Sequence, residues 1–444
     1  MNISRKGLRW MQQTAVLTLV LAHFAGCSGT ASNTPPSDGA MADGALDGAL
    51  DGAPAWDAAY DAGVPDGSVD LCPNQQCEDS EDCLTCPEDC GPCAPVEFCG
   101  EDCTFPAVAA AFPDRVMVVW SDYSLNPTQI IYTCFDGTDW TAPQPCHDTA
   151  PIAKDFAKIE ADSQGRFHMV WHQELGASRK IMYAVFSAGQ GCSGSWSTPE
   201  RIDTGNINSC WPQLTVDPND VPHVSWTEDY QQIHYSEREA GTWIPPAMVA
   251  DTPAVVSCHS DIAILDGRAG IVWMESEAPR MPAFAEESET SPGTFPPHEL
   301  LNTGFYGFPQ IVADSTGRPH VLYCVRSGGI YHLSRDTAGQ WSPHQQISSG
   351  SMYYTMSNLT FAHGSLYGAW DQLVMDTAQM FIASGDPSTG TWTAPVQVSE
   401  TVVDNDAKHG MVAVDSDGRA HTVWVELPEG EERGAIYYRL MSAP

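Results

Sequence analysis

The chain has 444 residues, 42% of them apolar and only 17% charged, which is ample material for a large core. Its charge is lopsided: 20 Lys and Arg face 57 Asp and Glu, a formal net of −37 that repels phosphate backbones and excludes nucleic-acid binding as a main role. Fourteen Trp, 37 Gly and 33 Pro point away from a helical bundle, and 15 Cys point to an oxidising compartment.

Arg5, Lys6 and Arg9 precede an apolar run from Thr14 to Gly26, the pattern of a secretory signal. The run is too short for a membrane span, which needs roughly 20 apolar residues. It ends in Phe24-Ala25-Gly26-Cys27, which resembles the bacterial lipobox, with Phe24 where Leu is usual. The resemblance implies a signal peptide over 1–26 and a lipidated Cys27. Ser28 stands where an Asp would mark inner-membrane retention, so the expected address is the outer membrane or cell surface of a Gram-negative bacterium. Residues 28–71 hold eight Asp, no Lys or Arg and few bulky apolar groups, so 27–71 is expected to be a disordered, self-repelling tether. Its Asp-Gly repeats lack the further oxygen ligands and closing Glu of a calcium loop. No motif specifies calcium, and no cofactor is expected.

Six cysteines follow within 22 residues: Cys72, Cys77, Cys83, Cys86, Cys90 and Cys93. The Cys-x-x-Cys spacings suit zinc, but six acidic residues and no His in an exported segment favour disulfides. Residues 72–93 resemble a short cysteine-rich module of secreted bacterial proteins. Six cysteines allow fifteen pairings, among which the sequence does not choose.

From residue 94 to 444 the chain repeats itself. Aliphatic runs end in Trp120, Trp171, Trp226, Trp273, Tyr323, Trp370 and Trp424, spaced 51, 55, 47, 50, 47 and 54 residues apart. Each unit reads as an alternating strand, a polar turn such as Asp162-Ser163-Gln164-Gly165, the aromatic-ended strand, a short apolar strand, and a last strand opening near Trp or Phe. Four short antiparallel strands per unit describe a propeller blade. Seven aromatic-ended strands are matched by only six fourth strands after them, and Ala94–Phe98 reads like the missing one. The expected fold is therefore all-β, a seven-bladed propeller of four-stranded antiparallel blades, its last blade closed by a strand from the front of the chain.

The worn motifs Ser384-Gly385-Asp386…Gly390-Thr391-Trp392 and Ser334-Arg335-Asp336…Gly339-Gln340-Trp341 resemble the Asp boxes of sialidase-like propellers. In that family the boxes are turn staples, so the resemblance implies fold and not activity. No Arg-Ile-Pro occurs, as a working sialidase would be expected to carry.

Topology collects the loops after the aromatic strands, and those between units, on one working face. Acidic residues recur there two positions past the aromatic, at Asp122, Glu228, Glu275 and Glu426. The loops between units add Trp211, His259, Phe308 and Tyr354, and Arg326 follows the fifth aromatic strand. Carboxylates beside aromatic rings suit sugars, because rings stack on apolar sugar faces while carboxylates accept hydroxyl hydrogens. The expected function is a surface-anchored monomer binding a glycan or a surface protein without catalysis. The alternative is a glycoside hydrolase or polysaccharide lyase, the latter through His172, His259 or Tyr354 with an Arg clamp. Neutral or amino-bearing glycans are expected unless the loop arginines Arg179, Arg280, Arg326 and Arg433 cluster. His168, His223, His320 and His421 recur three before the aromatic but belong to separate blades, too far apart to share a metal, so no metal site is expected. Cys210–Cys258 and Cys134–Cys146 are the expected bridges outside the module, and Cys99, Cys103, Cys192 and Cys324 stay unassigned.

Overall fold

The alternation that marks each unit folds as read, and among the described residues every regular element is a β-strand. The computed structural model describes residues 93–444 apart from 113, 148–151, 190, 206, 252–258, 276–280, 302–306, 326–327, 352–357, 401–404 and 429. The Cys27 anchor, the tether and Cys72, Cys77, Cys83, Cys86 and Cys90 lie outside the described residues, as do Cys258, Arg280, Arg326 and Tyr354. Cys93 is described and is disulfide-bonded.

One unit shows how the local sequence builds a blade. Ser209–Val216 runs into the turn Asp217–Asp220, where Asp220 takes a left-handed φ of 64°. Pro222–Glu228 returns with Val216 opposite Pro222 and Leu214 opposite Val224. Gln232–Glu239 then pairs with its far side, Trp226 opposite His234. The middle strand is buried along its whole length, because neighbouring blades cover both of its faces. Trp120, Trp171, Trp226, Trp273, Trp370 and Trp424 are all fully buried between blades, and truncating any one to Ala is worth about 3–5 kcal/mol.

The recurrent histidines staple the turns opposite the working face. Asp162 Oδ1 accepts the backbone N–H groups of Gln164 and Arg166 at 3.0 and 2.7 Å. Its Oδ2 lies 2.9 Å from His168 Nε2, and His168 Nδ1 lies 2.7 Å from the Tyr183 hydroxyl. His421 repeats the arrangement with Asp415 and Tyr438, at 3.0 and 2.8 Å. His320 uses Asp314 and His332 instead, at 3.2 and 3.0 Å. Each imidazole thus ties the first turn of its unit to the third strand. The worn Asp boxes are turn staples too: Asp336 Oδ1 accepts the N–H groups of Ala338 and Gln340, and Asp386 Oδ1 accepts that of Ser388.

Blade count is where the sequence reading needs correction. Five sheets are discrete four- or five-stranded blades, but the remaining strands form one continuous seven-stranded sheet rather than two separate blades. The cause is a single 16-residue strand, Val96–Ala111. Its first half pairs with the last strand of the chain, Val96 opposite Tyr438, and its second half pairs with Arg115–Asp122, Ala107 opposite Val119. Both ends of the repeat array therefore meet on one strand, which removes the exposed edge. The first strands of the units contact one another in a closed ring: Val96–Ala111, Lys154–Ala161, Ser209–Val216, Ser260–Leu265, Gln310–Ala313, Asn358–Ala362 and Asn405–Val414, which returns to the first.

The expected Cys134–Cys146 bridge is also corrected, because Cys134 is bonded to Cys192 with their Cα atoms 5.9 Å apart. The Cys146 N–H bonds to the Ile130 carbonyl, four residues and about 13 Å along the strand from Cys134, and its thiol faces the Met169 sulfur at 3.9 Å. A second bridge joins Cys99 and Cys103. Cys210 is buried, and its expected partner Cys258 is outside the described residues.

Candidate functional site

The first strand of several units enters the ring through the same irregularity. β-Bulges interrupt the pairing at Thr104/Ala107, Asp155/Lys158, Cys210/Gln213 and Lys408/Met411. Within them Phe105, Phe156, Trp211 and His409 adopt left-handed φ values of 52°, 54°, 49° and 57°. For bulky side chains such backbone costs about 1–3 kcal/mol each and gathers at functional sites. Here it turns one ring from each of these four units toward the axis.

The result is an aromatic collar. Ring centroids lie 5.1 Å apart for His409 and Phe105, 3.8 Å for Phe105 and Phe156, and 6.1 Å for Phe156 and Trp211. The chain continues at 5.4 Å from Trp211 to His259 and 3.7 Å from His259 to Phe308. Together they enclose about 20 Å³, room for a single water. Beneath the collar a cavity of about 750 Å³ runs along the axis, lined by Lys158, Glu160, Asp261, Gln213, Gln310 and Asn358. Burial pushes the imidazoles of His259 and His409 down to about 3, so both are neutral. In the axial cavity, which Glu160 lines, the protein around its carboxyl pushes it up to about 8, and Asp261 to about 7.

The sequence-derived candidates separate into two groups. Trp211, His259 and Phe308 come together in the collar, where Trp211 and His259 are 7% and 4% exposed and their rings serve each other more than the solvent. The carboxylates stay with their own blades. Glu275 and Glu426 accept the indole N–H of Trp273 and Trp424 at 2.9 and 3.2 Å. Glu228 accepts from Ser209 and lies 3.1 Å from His234, and Asp122 accepts from Ser124. Two of the four recurring acids thus satisfy the buried tryptophan beside them, and among the described residues the indole N–H groups of Trp120 and Trp226 have no hydrogen-bond partner.

Beside the collar, where the ends of the chain meet the second unit, lies a cluster that the sequence did not assemble. The Tyr123 hydroxyl donates to Asp155 Oδ2 in a short hydrogen bond. Asp155 Oδ1 also accepts the Phe156 N–H at 2.8 Å. Burial, then the Asp155 charge, holds the Tyr123 phenol well above its ordinary pKa, so it keeps its proton; burial likewise raises the Asp155 carboxyl. The Arg433 guanidinium lies over the Tyr123 ring, 3.8 Å from its centroid.

His172 follows the second aromatic strand, its ring 5.0 Å from that of Phe156. It is 3% exposed, and its buried Nδ1 has no hydrogen-bond partner among the described residues. Burial first, and then Arg179, lower its pKa well below the ordinary value, so the imidazole is neutral. The Arg179 backbone is held by Asn208, its N–H 3.0 Å from Oδ1. Among the described residues no carboxylate lies within 4 Å of its guanidinium. The Arg179 charge also acts on Tyr123 and Asp155. Trp211 and Tyr230, their rings 5.4 Å apart, extend the aromatic wall beyond Phe156.

Two guanidiniums, a neutral imidazole with a vacant ring nitrogen and a protonated phenol therefore stand beside an aromatic wall. Groups of this kind are chemically suited to a carboxylate and neighbouring hydroxyls.

No known protein family matches the sequence, and no curated protein is similar to it. Among solved structures the fold is shared with a PL25 ulvan lyase at TM-score 0.56 and 9% identity, over 79% of this chain and 96% of that one. The same kind of lyase bound to -[GlcA(1-4)Rha3S]- gives TM-score 0.54, 9% identity and the same coverage. The NanB sialidase from Streptococcus pneumoniae gives TM-score 0.43 and 7% identity, over 79% of this chain and 70% of that one. At these identities the likeness to the two lyase structures establishes a shared β-propeller fold and nothing about chemistry.

Proposed function

We propose that the propeller binds an acidic glycan on its working face, with Arg179 and Arg433 taking the sugar carboxylate and His172 and Tyr123 its hydroxyls. One observation carries the reading: the Arg433 guanidinium lies over a phenol that keeps its proton and feels the Arg179 charge, while a buried neutral histidine packs on the neighbouring Phe156. The chain's net charge of −37 opposes an anionic ligand at long range. Salt screens that field over about 8–10 Å, whereas contact with two arginines acts at hydrogen-bond distance. The address belongs to the same proposal. A lipid on Cys27 and the 27–71 tether would hold this face outside the outer membrane, where glycans are met. Titrating the chain with oligomers of a uronic acid and with neutral oligomers of equal length tests it, binding of the acidic series alone being the expected result.

Eliminative cleavage is the second reading, favoured by the protonation states of His172 and Tyr123. Neutral His172 would take the proton from the carbon next to the sugar carboxylate while the arginines hold the resulting charge. That electron pair forms the new C=C bond as the C–O bond to the leaving sugar breaks. Tyr123 gives its proton to the departing oxygen. Ultraviolet absorbance of the unsaturated sugar would reveal turnover. Binding without absorbance change leaves the propeller a lectin.

A further inference from the structure

The residue that holds Arg433 in this site, Asp102, lies in a small disulfide loop whose cysteines, Cys99 and Cys103, the sequence left unassigned. Cys99 stands opposite Ile436 and Cys103 opposite Gly434, so three residues bulge out between two points of one ladder. The Cys99–Cys103 bond closes that bulge, with Cα atoms 6.4 Å apart. At its tip Asp102 is held at a left-handed φ of 57°. From there its carbonyl accepts the Tyr123 N–H at 2.9 Å, and its carboxylate lies 3.9 Å from Arg433 Nη1. Among the described residues Asp102 is the only carboxylate within 4 Å of the Arg433 guanidinium. Arg433 itself sits in the turn just before the last strand, in a stretch with little regular pairing.

From this geometry we propose that the loop 99–103 is a positioning element of the glycan site, holding Arg433 over Tyr123 through Asp102. The inference rests on the acidic-glycan reading for its function but not for its geometry. A five-residue disulfide loop leaves Asp102 few alternatives to its left-handed conformation. The one residue thereby fixes both partners, Tyr123 through its backbone and Arg433 through its side chain. Cutting the loop would free Arg433 from the phenol without touching any group that meets the sugar. Asp102 and the two cysteines are thus positioning residues, one step removed from the ligand.

The test uses the full chain as wild type, C99A/C103A, D102N and D102E. Arg433 labelling by phenylglyoxal, read by mass spectrometry, reports the stacking without any glycan. Calorimetric titration with an oligoglucuronate reports the consequence. D102N is expected to label several-fold faster and to bind about threefold more weakly, the size of an exposed ion pair, with an unchanged Tm. D102E should restore both values, and C99A/C103A should exceed D102N in both. D102N serves where the double cysteine variant loses its fold. Equal labelling of Arg433 in wild type, D102N and C99A/C103A would overturn the proposal. A wild type that ignores oligoglucuronate while labelling still rises in D102N would instead overturn the glycan reading and leave the loop's role standing.

Discussion

The Arg433 guanidinium stacks 3.8 Å above the centroid of the Tyr123 ring, while the hydroxyl of that ring donates to Asp155. Three distant stretches of chain meet at one phenol: the turn before the last strand, the end of the first aromatic strand and the entry to the second unit. Replacing Tyr123 by Phe keeps the ring beneath Arg433 but takes the phenol donor from Asp155 Oδ2, while Oδ1 keeps the Phe156 N–H. Unfolding at pH 7 should lose about 1–2 kcal/mol. An unchanged urea midpoint would show that Asp155 finds another partner.

Much of the fold was legible because it repeats. Trp120, Trp171, Trp226 and their counterparts recur at unit spacing, and each must be buried on both sides, which only stacked blades provide. The same periodicity was present in the collar, unread: Phe105, Phe156, Trp211, His259 and Phe308 are spaced 51, 55, 48 and 49 residues apart, and His409 follows two units later. Three of them stand just before a proline, at Phe105-Pro106, Trp211-Pro212 and Phe308-Pro309. The Tyr123–Asp155–His172–Arg179–Arg433 cluster had no such signal. Asp155, His172 and Arg179 come from the second unit, Tyr123 from the first and Arg433 from the last, each present once, and only closure of the ring brings Arg433 to Tyr123. The discrete blade count was equally out of reach, since nothing local says that Val96–Ala111 runs unbroken through two pairings.

Asp371 gives stability a pH dependence of its own. It is fully buried, among the described residues neither oxygen has a hydrogen-bond partner, and burial pushes its carboxyl up to about 8. Its folded pKa exceeds the unfolded value of about 4. Its neutral form therefore costs nothing below pH 4, and stability is lost as pH rises through 8. Asp371→Asn is expected to match wild type in Tm at pH 4 and to exceed it increasingly toward pH 9. A constant difference across that range would mean that Asp371 stays ionised in the fold.

His259 acts in the opposite direction. Burial among the collar rings pushes it down to about 3, below the unfolded value of about 6.5. Stability is therefore full above pH 6.5 and is lost as pH falls from there toward 3, because the unfolded chain takes up the proton first. His259→Phe removes that loss, so its Tm relative to wild type should rise as pH falls from 7.5 to 5. Melting curves at those two pH values decide the matter, and parallel shifts would contradict a buried neutral imidazole.

The Cys134–Cys192 bridge spans 58 residues and ties the first unit to the second. Loop-closure entropy sets its contribution at about 4 kcal/mol. C134S/C192S should melt well below wild type, and C146S should lose less, since it forfeits only packing against Met169. Non-reducing peptide mapping should recover a Cys134–Cys192 peptide, and a Cys134–Cys146 peptide would refute this pairing.

The acidic-glycan site is tested most directly by calorimetric titration of the full chain with an oligoglucuronate, beside R179A and R433A of equal Tm. Saturable binding by wild type is expected, weakened about tenfold or more in each variant, as the loss of a charge-assisted hydrogen bond requires. Binding of a neutral oligosaccharide just as tightly, or affinity for the oligoglucuronate that neither arginine affects, would contradict it.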